Sequence, residues 1–356
     1  NNILKQLSLC YKKLNMSKKN SNVLNNKKLK FLKESNKIFK VYSLFKKNLQ
    51  INKNKKILVA VSGGPDSLAL VVLTKLYEKE YKIKAYFALV DHGIRKESAK
   101  EAKLVKNLLS KNKIILNILK NKKKFDNNIQ SNARKIRYSL LENFCKKKKI
   151  NIILTAHHSE DQVETFLIRL SRGSGVQGLS SMKIETKLNN NLKLIRPLLD
   201  HKKKDLIYIS KKIFGKFVVD PTNKDIKYLR TKVRKLKTVM ENSGIHHDQI
   251  IKSIKNLGLT RDTLNFYTDK IYQNTVVKKK NKLILNYSLI YKESIEIKLK
   301  IISKAIKSFS KSYYPPRSEK ILRLIKAIES NKQKRLTLGG CLVEKIGNFI
   351  EIQKEA

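Results

Sequence analysis

The stretch Ile57-Leu58-Val59-Ala60-Val61-Ser62-Gly63-Gly64-Pro65-Asp66-Ser67 limits what this chain can fold into more than any other. The short, partly β-branched apolar run from Ile57 to Val61 reads as a strand buried in a parallel sheet. Two glycines follow at once, and they permit backbone angles that other residues resist. Asp66 and Ser67 then sit where a helix begins, ahead of Leu68-Ala69-Leu70-Val71-Val72-Leu73. A strand that turns straight into a helix presents backbone N–H groups and a positive helix end at the turn. Both attract phosphate. The plain alternative is an ordinary Gly-rich turn between a strand and a helix.

The spacing narrows the kind of phosphate site. A Walker A loop needs Gly-x-x-x-x-Gly-Lys-Ser/Thr and a dinucleotide fingerprint needs Gly-x-Gly-x-x-Gly; neither fits. Ser-Gly-Gly-x-Asp-Ser after a strand resembles the loop of the ATP pyrophosphatase (PP-loop) superfamily. That resemblance implies cleavage of ATP between its α and β phosphates, with transfer of AMP to an oxygen.

Charge points to a partner. Lys and Arg number 80 against 28 Asp and Glu, a formal net charge of +52 over 356 residues. Such a surplus suits a polyanion, either nucleic acid or an anionic membrane surface. Codon bias toward Lys, Asn and Ile would also inflate it, and the Lys-Asn runs fit that reading. Hydrophobic residues make up 41%, which argues against global disorder. No apolar run nears the ~20 residues of a membrane span, and no signal peptide is evident. Cys10, Cys145 and Cys341 lie far apart with no Cys-x-x-Cys pair and no metal-ligand spacing. The expected compartment is a reducing cytoplasm. Met16 is a candidate start.

Four segments are expected. Residues 1–50 read as a basic N-terminal extension ending in a helix. Residues 51–215 alternate strands and helices: strands at 57–61, 83–90, 114–119 and 150–155, helices at about 66–78, 97–111, 129–146 and 159–171. A hairpin within 182–199 closes this part. Alternating β and α elements imply an α/β fold with a parallel sheet covered on both faces. Right-handed crossovers then bring the loops after the strands to one edge, where open α/β sheets bind ligands. Residues 216–310 read as a mainly helical, very basic domain. Residues 311–356 read as a small α+β C-terminal domain, with a helix at about 318–330 and short strands after it.

Five stretches line up along the chain. They are Ser62 to Ser67; Val90-Asp91-His92-Gly93-Ile94-Arg95; Asn132-Ala133-Arg134-Lys135-Ile136-Arg137-Tyr138; Thr155-Ala156-His157-His158-Ser159-Glu160-Asp161-Gln162-Val163-Glu164-Thr165; and Arg169-Leu170-Ser171-Arg172-Gly173-Ser174-Gly175. In this order and spacing they resemble the tRNA(Ile)-lysidine synthases of the PP-loop superfamily. Arg196-Pro197-Leu198-Leu199, Asp220-Pro221-Thr222-Asn223 and the Leu-Gly-Gly-Cys stretch near the C-terminus extend the likeness. The resemblance implies ATP-dependent modification of the wobble cytidine in the CAU anticodon of tRNA(Ile). The oxygen on carbon 2 is adenylated, the ε-amine of free L-lysine attacks, and AMP leaves.

The residue types suit that chemistry. Ser62, Gly63, Gly64, Pro65 and Ser67 are expected to cradle ATP. Asp66 either helps hold Mg²⁺ or caps its helix. Asp161 and Glu164 are three apart and share a helix face; they would bind Mg²⁺ or receive the lysine ammonium, or else form a solvated acidic helix start. Asp66 and Asp161 are the expected Mg²⁺ ligands. Arg134 and Arg137 could clamp phosphates, with surface charge as the alternative; Arg137 is grouped with Asp66, Asp161 and Glu164 as catalytic. His157 and His158 are expected to shape the nucleotide pocket, with His157 a binding residue. Asp91 and His92 could contact adenosine or the substrate amine. Arg172, Gly173, Ser174 and Gly175 are expected near RNA or phosphate, and Arg230 and Arg234 against tRNA. A homodimer is left open, and no membrane contact is expected. Two departures stand out: the family commonly has Asp where Glu160 sits, and Leu229-Arg230 replaces an Arg-Asn start. The rival readings are a PP-loop cytidine thiolase, a small-molecule synthetase of the superfamily, and a non-catalytic RNA-binding module.

Overall fold

The computed structural model describes residues 26–51, 55–93, 97–121, 129–189, 191–218, 229–310, 316–330 and 335–355. Ile94, Arg95, the Asp220-Pro221-Thr222-Asn223 stretch, Cys10 and most of the basic leader lie outside them. The chain forms two compact units that divide between Ile254 and Lys255.

The first unit runs α1 (Asn26–Leu49), β1 (Lys56–Val61), α2 (Pro65–Tyr81), β2 (Lys84–Asp91), α3 (Ser98–Ser110), β3 (Leu116–Lys120), α4 (Ile129–Lys148), β4 (Ile152–Leu154), α5 (Ser159–Leu170), the one-turn α6 (Val176–Leu179), β5 (Glu185–Asn189), β6 (Leu192–Ile195), α7 (Lys203–Phe214) and α8 (Leu229–Asn242). Its six strands lie in the order β3-β2-β1-β4-β6-β5. β1 is parallel to β2 on one side and to β4 on the other. β6 is parallel to β4, and only the edge strand β5 runs antiparallel, as the first arm of the expected hairpin. The strand order therefore reverses between β1 and β4. In an open α/β sheet that reversal opens a crevice at the carboxyl ends of the two strands.

The alternation of β1 explains the layers. Ile57, Val59 and Val61 join a core with Leu70 of α2, Val105 of α3, Ile209 of α7 and Phe45 of α1. Leu58 faces the other way, into a second core with Leu141 and Cys145 of α4. β1 is thus buried on both faces, which is why its run is apolar rather than alternating. Phe45 is fully buried, so α1 belongs to this core.

Beyond the ends of α1 to α4, Gln50, Lys82, Lys113 and Lys149 adopt left-handed backbone (φ 35, 51, 58 and 54). Each is followed by a buried isoleucine: Ile51, Ile83, Ile114 or Ile150.

The second unit contains most of α9 (His247–Thr275), then β7 (Val276–Lys278), β8 (Lys282–Asn286), α10 (Tyr287–Tyr291), α11 (Ile295–Ser310), α12 (Ser318–Glu329), β9 (Arg335–Leu338), β10 (Cys341–Ile346) and β11 (Phe349–Lys354). Its antiparallel sheet has the order β7-β8-β11-β10-β9. Ile301 and Ile306 of α11 and Ile325 of α12 share its core with Val343 and Ile352. Two of its strands come from the stretch read as mainly helical. β8 alternates, with Leu283 and Leu285 buried, and that period of two belongs to a half-buried strand.

The two loop glycines are not equivalent. Gly63 has φ +85, and a Cβ there would lie 2.4 Å from Val105 Cγ2. Its carbonyl also accepts the Val218 N–H at 3.0 Å. Gly64 has φ −72, and a Cβ there would meet Ser62 Oγ at 3.7 Å, an ordinary contact. Gly63→Ala should therefore lower stability by about 2 kcal/mol or more, from a left-handed backbone and a clash together. Gly64→Ala should cost under about 1 kcal/mol, the scale of a change at an N-cap that has no side-chain bond to lose. Chemical denaturation of the two variants checks this; equal losses would contradict it.

Candidate active site

The loop after β1 closes on one hydroxyl. Ser67 Oγ accepts the backbone N–H groups of Ser62 (3.2 Å) and Gly63 (3.1 Å), lies 3.2 Å from Ser62 Oγ, and donates to the Gly64 carbonyl at 2.9 Å. Gly64 is the N-cap of α2 and Pro65 its first residue, so neither offers a side-chain cap. Pro65 has no N–H to satisfy and presets the helical φ. The first turn of α2 thus keeps a positive end facing the crevice.

Asp66 does not cap its helix. Its Oδ1 is buried without a hydrogen-bond partner among the described residues, and its Oδ2 lies 3.5 Å from His158 Nε2. His158 sits at the other lip of the crevice, just after β4, and is 3% exposed. Its Nε2 is also 3.6 Å from Asp161 Oδ2, and its Nδ1 is 3.1 Å from Glu160 Oε2. Burial pulls the His158 pKa down, but Asp66, Glu160 and Asp161 outweigh it and lift the imidazole to about 10. His158 is therefore a buried cation that joins the loop of α2 to the start of α5. Asp161 additionally accepts the His158 backbone N–H at 3.0 Å, tightening the first turn of α5. Glu160 accepts the Lys203 N–H at 3.0 Å on both oxygens, which caps α7. Burial works against the Glu160 charge, yet His158 and the Lys203 N–H hold its pKa down at about 2.

Glu164 has a different partner. It is 6% exposed and bound two-fold by Arg234 of α8, Nε to Oε1 at 2.5 Å and Nη2 to Oε2 at 3.2 Å. That fork raises the Arg234 pKa above its ordinary value. The spacing put Asp161 and Glu164 on one helix face, and they are there, but one carboxylate serves His158 and the other Arg234.

Around this centre the remaining residues fall into place unevenly. His157 Nδ1 lies 3.0 Å from Thr155 Oγ1. Burial, with Arg196, Arg134 and Arg230 nearby and only Asp161 opposing, lowers the His157 pKa to about 4. It is a neutral imidazole beside a cationic one. At the end of β2, Asp91 is buried and accepts the Gly93 N–H at 3.1 Å. His92 Nε2 lies 3.3 Å from Arg137 Nε; burial first and Arg137 second lower the His92 pKa to about 4. Arg134 stacks its guanidinium over the Tyr138 ring at 5.1 Å. Arg230 is exposed at the start of α8. Arg172, Gly173, Ser174 and Gly175 form a turn beyond the far end of α5. Nine helical steps from Asp161 to Leu170, the last residue of α5, correspond to roughly 14 Å. Arg169 braces that turn by donating to the carbonyls of Gly178 (2.6 Å) and Ser181 (3.3 Å).

Among the described residues no three His, Cys, Asp or Glu side chains are arranged as a ready-made metal cage. Mg²⁺ seldom uses one; it is held by one or two carboxylates and the phosphates of a nucleotide. The unpartnered Asp66 Oδ1 is a donor of that kind. The residues present therefore fit Mg²⁺ bound jointly with ATP. Sequence reasoning did not single out His158 as the centre of the carboxylate cluster. Its signal was there, in a histidine preceding Ser159-Glu160-Asp161 by one to three residues.

The His158 cluster fixes a pH dependence. The folded pKa of His158, about 10, lies above its unfolded value of about 6.5. Its contribution to stability is complete below pH ~6.5 and is lost as the pH rises through ~10. Glu160, depressed to about 2, contributes above pH ~4.5 and loses its part as the pH falls toward 2. Urea midpoints should decline between pH 7 and 10 in the parent chain, and His158→Asn should flatten that limb. An unaltered alkaline limb in the variant would contradict the assignment.

Comparison with known proteins fits this arrangement. Residues 33–241 match the family model of the PP-loop domain. The chain is 36% identical over 308 residues to the tRNA(Ile)-lysidine synthase of Wolbachia pipientis wMel, covering 85% of this chain and 71% of that protein. It is 33% identical over 317 residues to the enzyme of the same name from Orientia tsutsugamushi, covering 84% and 70%. For the one from Rickettsia typhi the identity is 32% over 311 residues, again covering 84% and 70%. Among solved structures, a U34-tRNA thiolase from Methanococcus maripaludis with its [4Fe-4S] cluster is similar in fold, with TM-score 0.54 and 18% identity over 63% of this chain and 79% of that one. A PP-loop at the reversal of a parallel sheet, together with relatives of this identity and coverage, places the chain in the tRNA(Ile)-lysidine synthase family.

Proposed function

We propose that the chain joins free L-lysine to carbon 2 of the wobble cytidine in the CAU anticodon of tRNA(Ile), with ATP cleaved to AMP and pyrophosphate. The observation that carries this reading is the meeting of Asp66 and Asp161 at one buried imidazolium, in the crevice between β1 and β4. ATP would lie with its phosphates at the loop Ser62 to Ser67, on the positive end of α2. Adenylation of the cytosine O2 moves charge onto the pyrophosphate, and loop N–H groups with Arg134 and Arg137 would stabilise it. Mg²⁺, held by Asp66 with the phosphates, would supply further neutralisation of that charge.

The second step needs a carboxylate that holds the lysine ammonium and accepts its proton, so that the freed amine attacks carbon 2 and AMP leaves. Asp161 suits this better than Glu164. Glu164 already spends both oxygens on Arg234, whereas three carboxylates share the single charge of His158 and leave the cluster net negative. His157, kept neutral, can accept or donate one hydrogen bond to the nucleotide. Arg230 and the Arg172–Gly175 turn would contact the RNA.

The thiolase reading is weaker. That chemistry uses paired cysteines, and the described cysteines lie in different units, both buried. Burial raises the Cys145 thiol to about 12, so it is not a ready nucleophile.

The assay is incubation with ATP, Mg²⁺, labelled lysine and tRNA carrying a CAU anticodon. Label in the tRNA together with AMP and pyrophosphate is expected; ADP and phosphate as the main products would refute the reading. Variants separate the two acids. Asp161→Asn should abolish labelling while shifting stability by no more than about 1 kcal/mol, the typical worth of a helix-start cap. Glu164→Ala should also cost stability, about 2 kcal/mol, because it leaves Arg234 without its buried partner. Thermal unfolding beside turnover distinguishes them, and equal stability losses would contradict the different partners.

A further inference from the structure

The parallel sheet has a second edge, where its strands begin and the preceding helices end. Lys56 and Lys84 are register partners there, and the Lys84 N–H bonds the Lys55 carbonyl at 3.0 Å. Lys56 Nζ reaches the Lys148 carbonyl at 3.5 Å, which brings the lysine-rich last turn of α4 to the same edge. Lys82 and Lys149, which directly follow α2 and α4, and Lys113, three residues beyond α3, are exposed. None of these lysines forms an ion pair with a carboxylate among the described residues.

The three closing lysines carry the argument. Left-handed backbone at a helix end favours Gly and Asn over other residues. The chain is rich in Asn, and a codon bias toward Lys, Asn and Ile would supply Asn as readily as Lys. Yet lysine, less suited to the backbone, stands at three of the four left-handed positions that follow α1 to α4, with Gln50 at the fourth. A cation at a helix C-terminus gains from the dipole. That gain does not extend to Lys55, Lys56 and Lys84, which stand at strand starts. The common property of the six is positive charge on one rigid edge. Four neighbouring strands, β3-β2-β1-β4, give that edge a breadth of about 15 Å.

We propose that this edge binds the phosphate backbone of an RNA duplex, separately from the catalytic edge. A breadth of that order suits phosphates on both sides of a shallow RNA groove, which proteins read by shape and backbone. An anionic membrane surface is normally engaged by an amphipathic helix with apolar anchors. Here the exposed large apolar side chain beside the closing lysines is Ile115 alone among the described residues.

The proposal does not depend on the lysidine reaction, and its probe is a loop-free RNA duplex of about 16 base pairs, roughly the span of a duplex-binding domain. Two variants of the full chain are compared with the parent by fluorescence anisotropy across a salt series. One is Lys82→Asn/Lys113→Asn/Lys149→Asn; the other is Lys55→Gln/Lys56→Gln/Lys84→Gln. Each lost phosphate contact removes about 0.7–0.9 from the log–log salt slope. A slope shallower by about 2 is expected in each, with affinity at low salt reduced more than tenfold. The Asn variant should unfold at nearly the parent temperature, since Asn suits the left-handed backbone and offsets the lost dipole contribution. Unchanged slopes in both variants would overturn the proposal. So would a lowered unfolding temperature with an unchanged slope, which would assign the lysines to the helix ends alone. Loss of binding to phosphatidylserine vesicles without any loss of duplex binding would overturn it in favour of a membrane.

Discussion

The parallel pairing of β1 on both of its sides is the constraint on which the rest of the first unit depends. With β2 on one side and β4 on the other, the chain must cross over in opposite directions from the central strand. The loops after β1 and β4 then part, and each runs into the positive end of a helix. Everything chemically notable stands at those two helix starts: Ser62 to Ser67 at α2 and His157 to Glu164 at α5. The apolar run that buries β1 on both faces and the glycines that let the chain turn away from it are one device.

Two helix N-termini facing one crevice would attract anions only. The carboxylates change that. Asp66, Glu160 and Asp161 bring more negative charge than His158 compensates, and they do so without touching the loop N–H groups that gather at Ser67. Opposite signs are therefore held a residue or two apart, the uncapped positive end of α2 and the cation-seeking oxygens beside it. The proposed joint binding of a triphosphate and an ammonium ion requires such segregation, because a uniform field of either sign would expel one substrate. Buried His158 keeps the arrangement from collapsing, since removing a shared cation would leave three carboxylates in mutual repulsion.

Much of this was legible in the sequence, and the illegible part has a physical character. Local signals served well. The strand Ile57–Val61, the turn at Gly63 and Gly64, and the carboxylates at the start of α5 all depend on neighbours within a few residues. The hairpin β5–β6 and the strands after α12 were likewise visible from alternation and Gly-Gly punctuation. What failed to show was partner choice across long separations. Arg234 reads as one more basic residue of a basic helix, yet it is bound to Glu164 seventy residues earlier. Glu160 reads as a departure from the family pattern, yet it caps α7 through Lys203. β7 and β8 sit in a basic stretch dominated by helices; they pair with each other, and β8 pairs with β11, a strand near the end of the sequence. Charge composition could not separate these roles, because in a chain of net +52 every basic residue looks alike.

The Glu164–Arg234 fork gives the basic helix α8 a meaning that charge alone does not. α8 is strongly amphipathic, and Val233 and Thr231 are its buried positions, so little apolar surface holds it down. A two-fold ion pair with a carboxylate that is 6% exposed is a directional anchor. It fixes α8 against the same helix, α5, whose first turn carries Asp161. Under the proposed reaction, α8 is where tRNA would press with Arg230 on its exposed side. Any displacement of α8 by RNA is then transmitted to α5 through a rigid fork rather than through compliant side chains. Asp161 and Arg230, to which the proposed reaction assigns lysine handling and RNA contact, thus lie on two helices tied by this ion pair, so the geometry at Asp161 depends on α8 being seated.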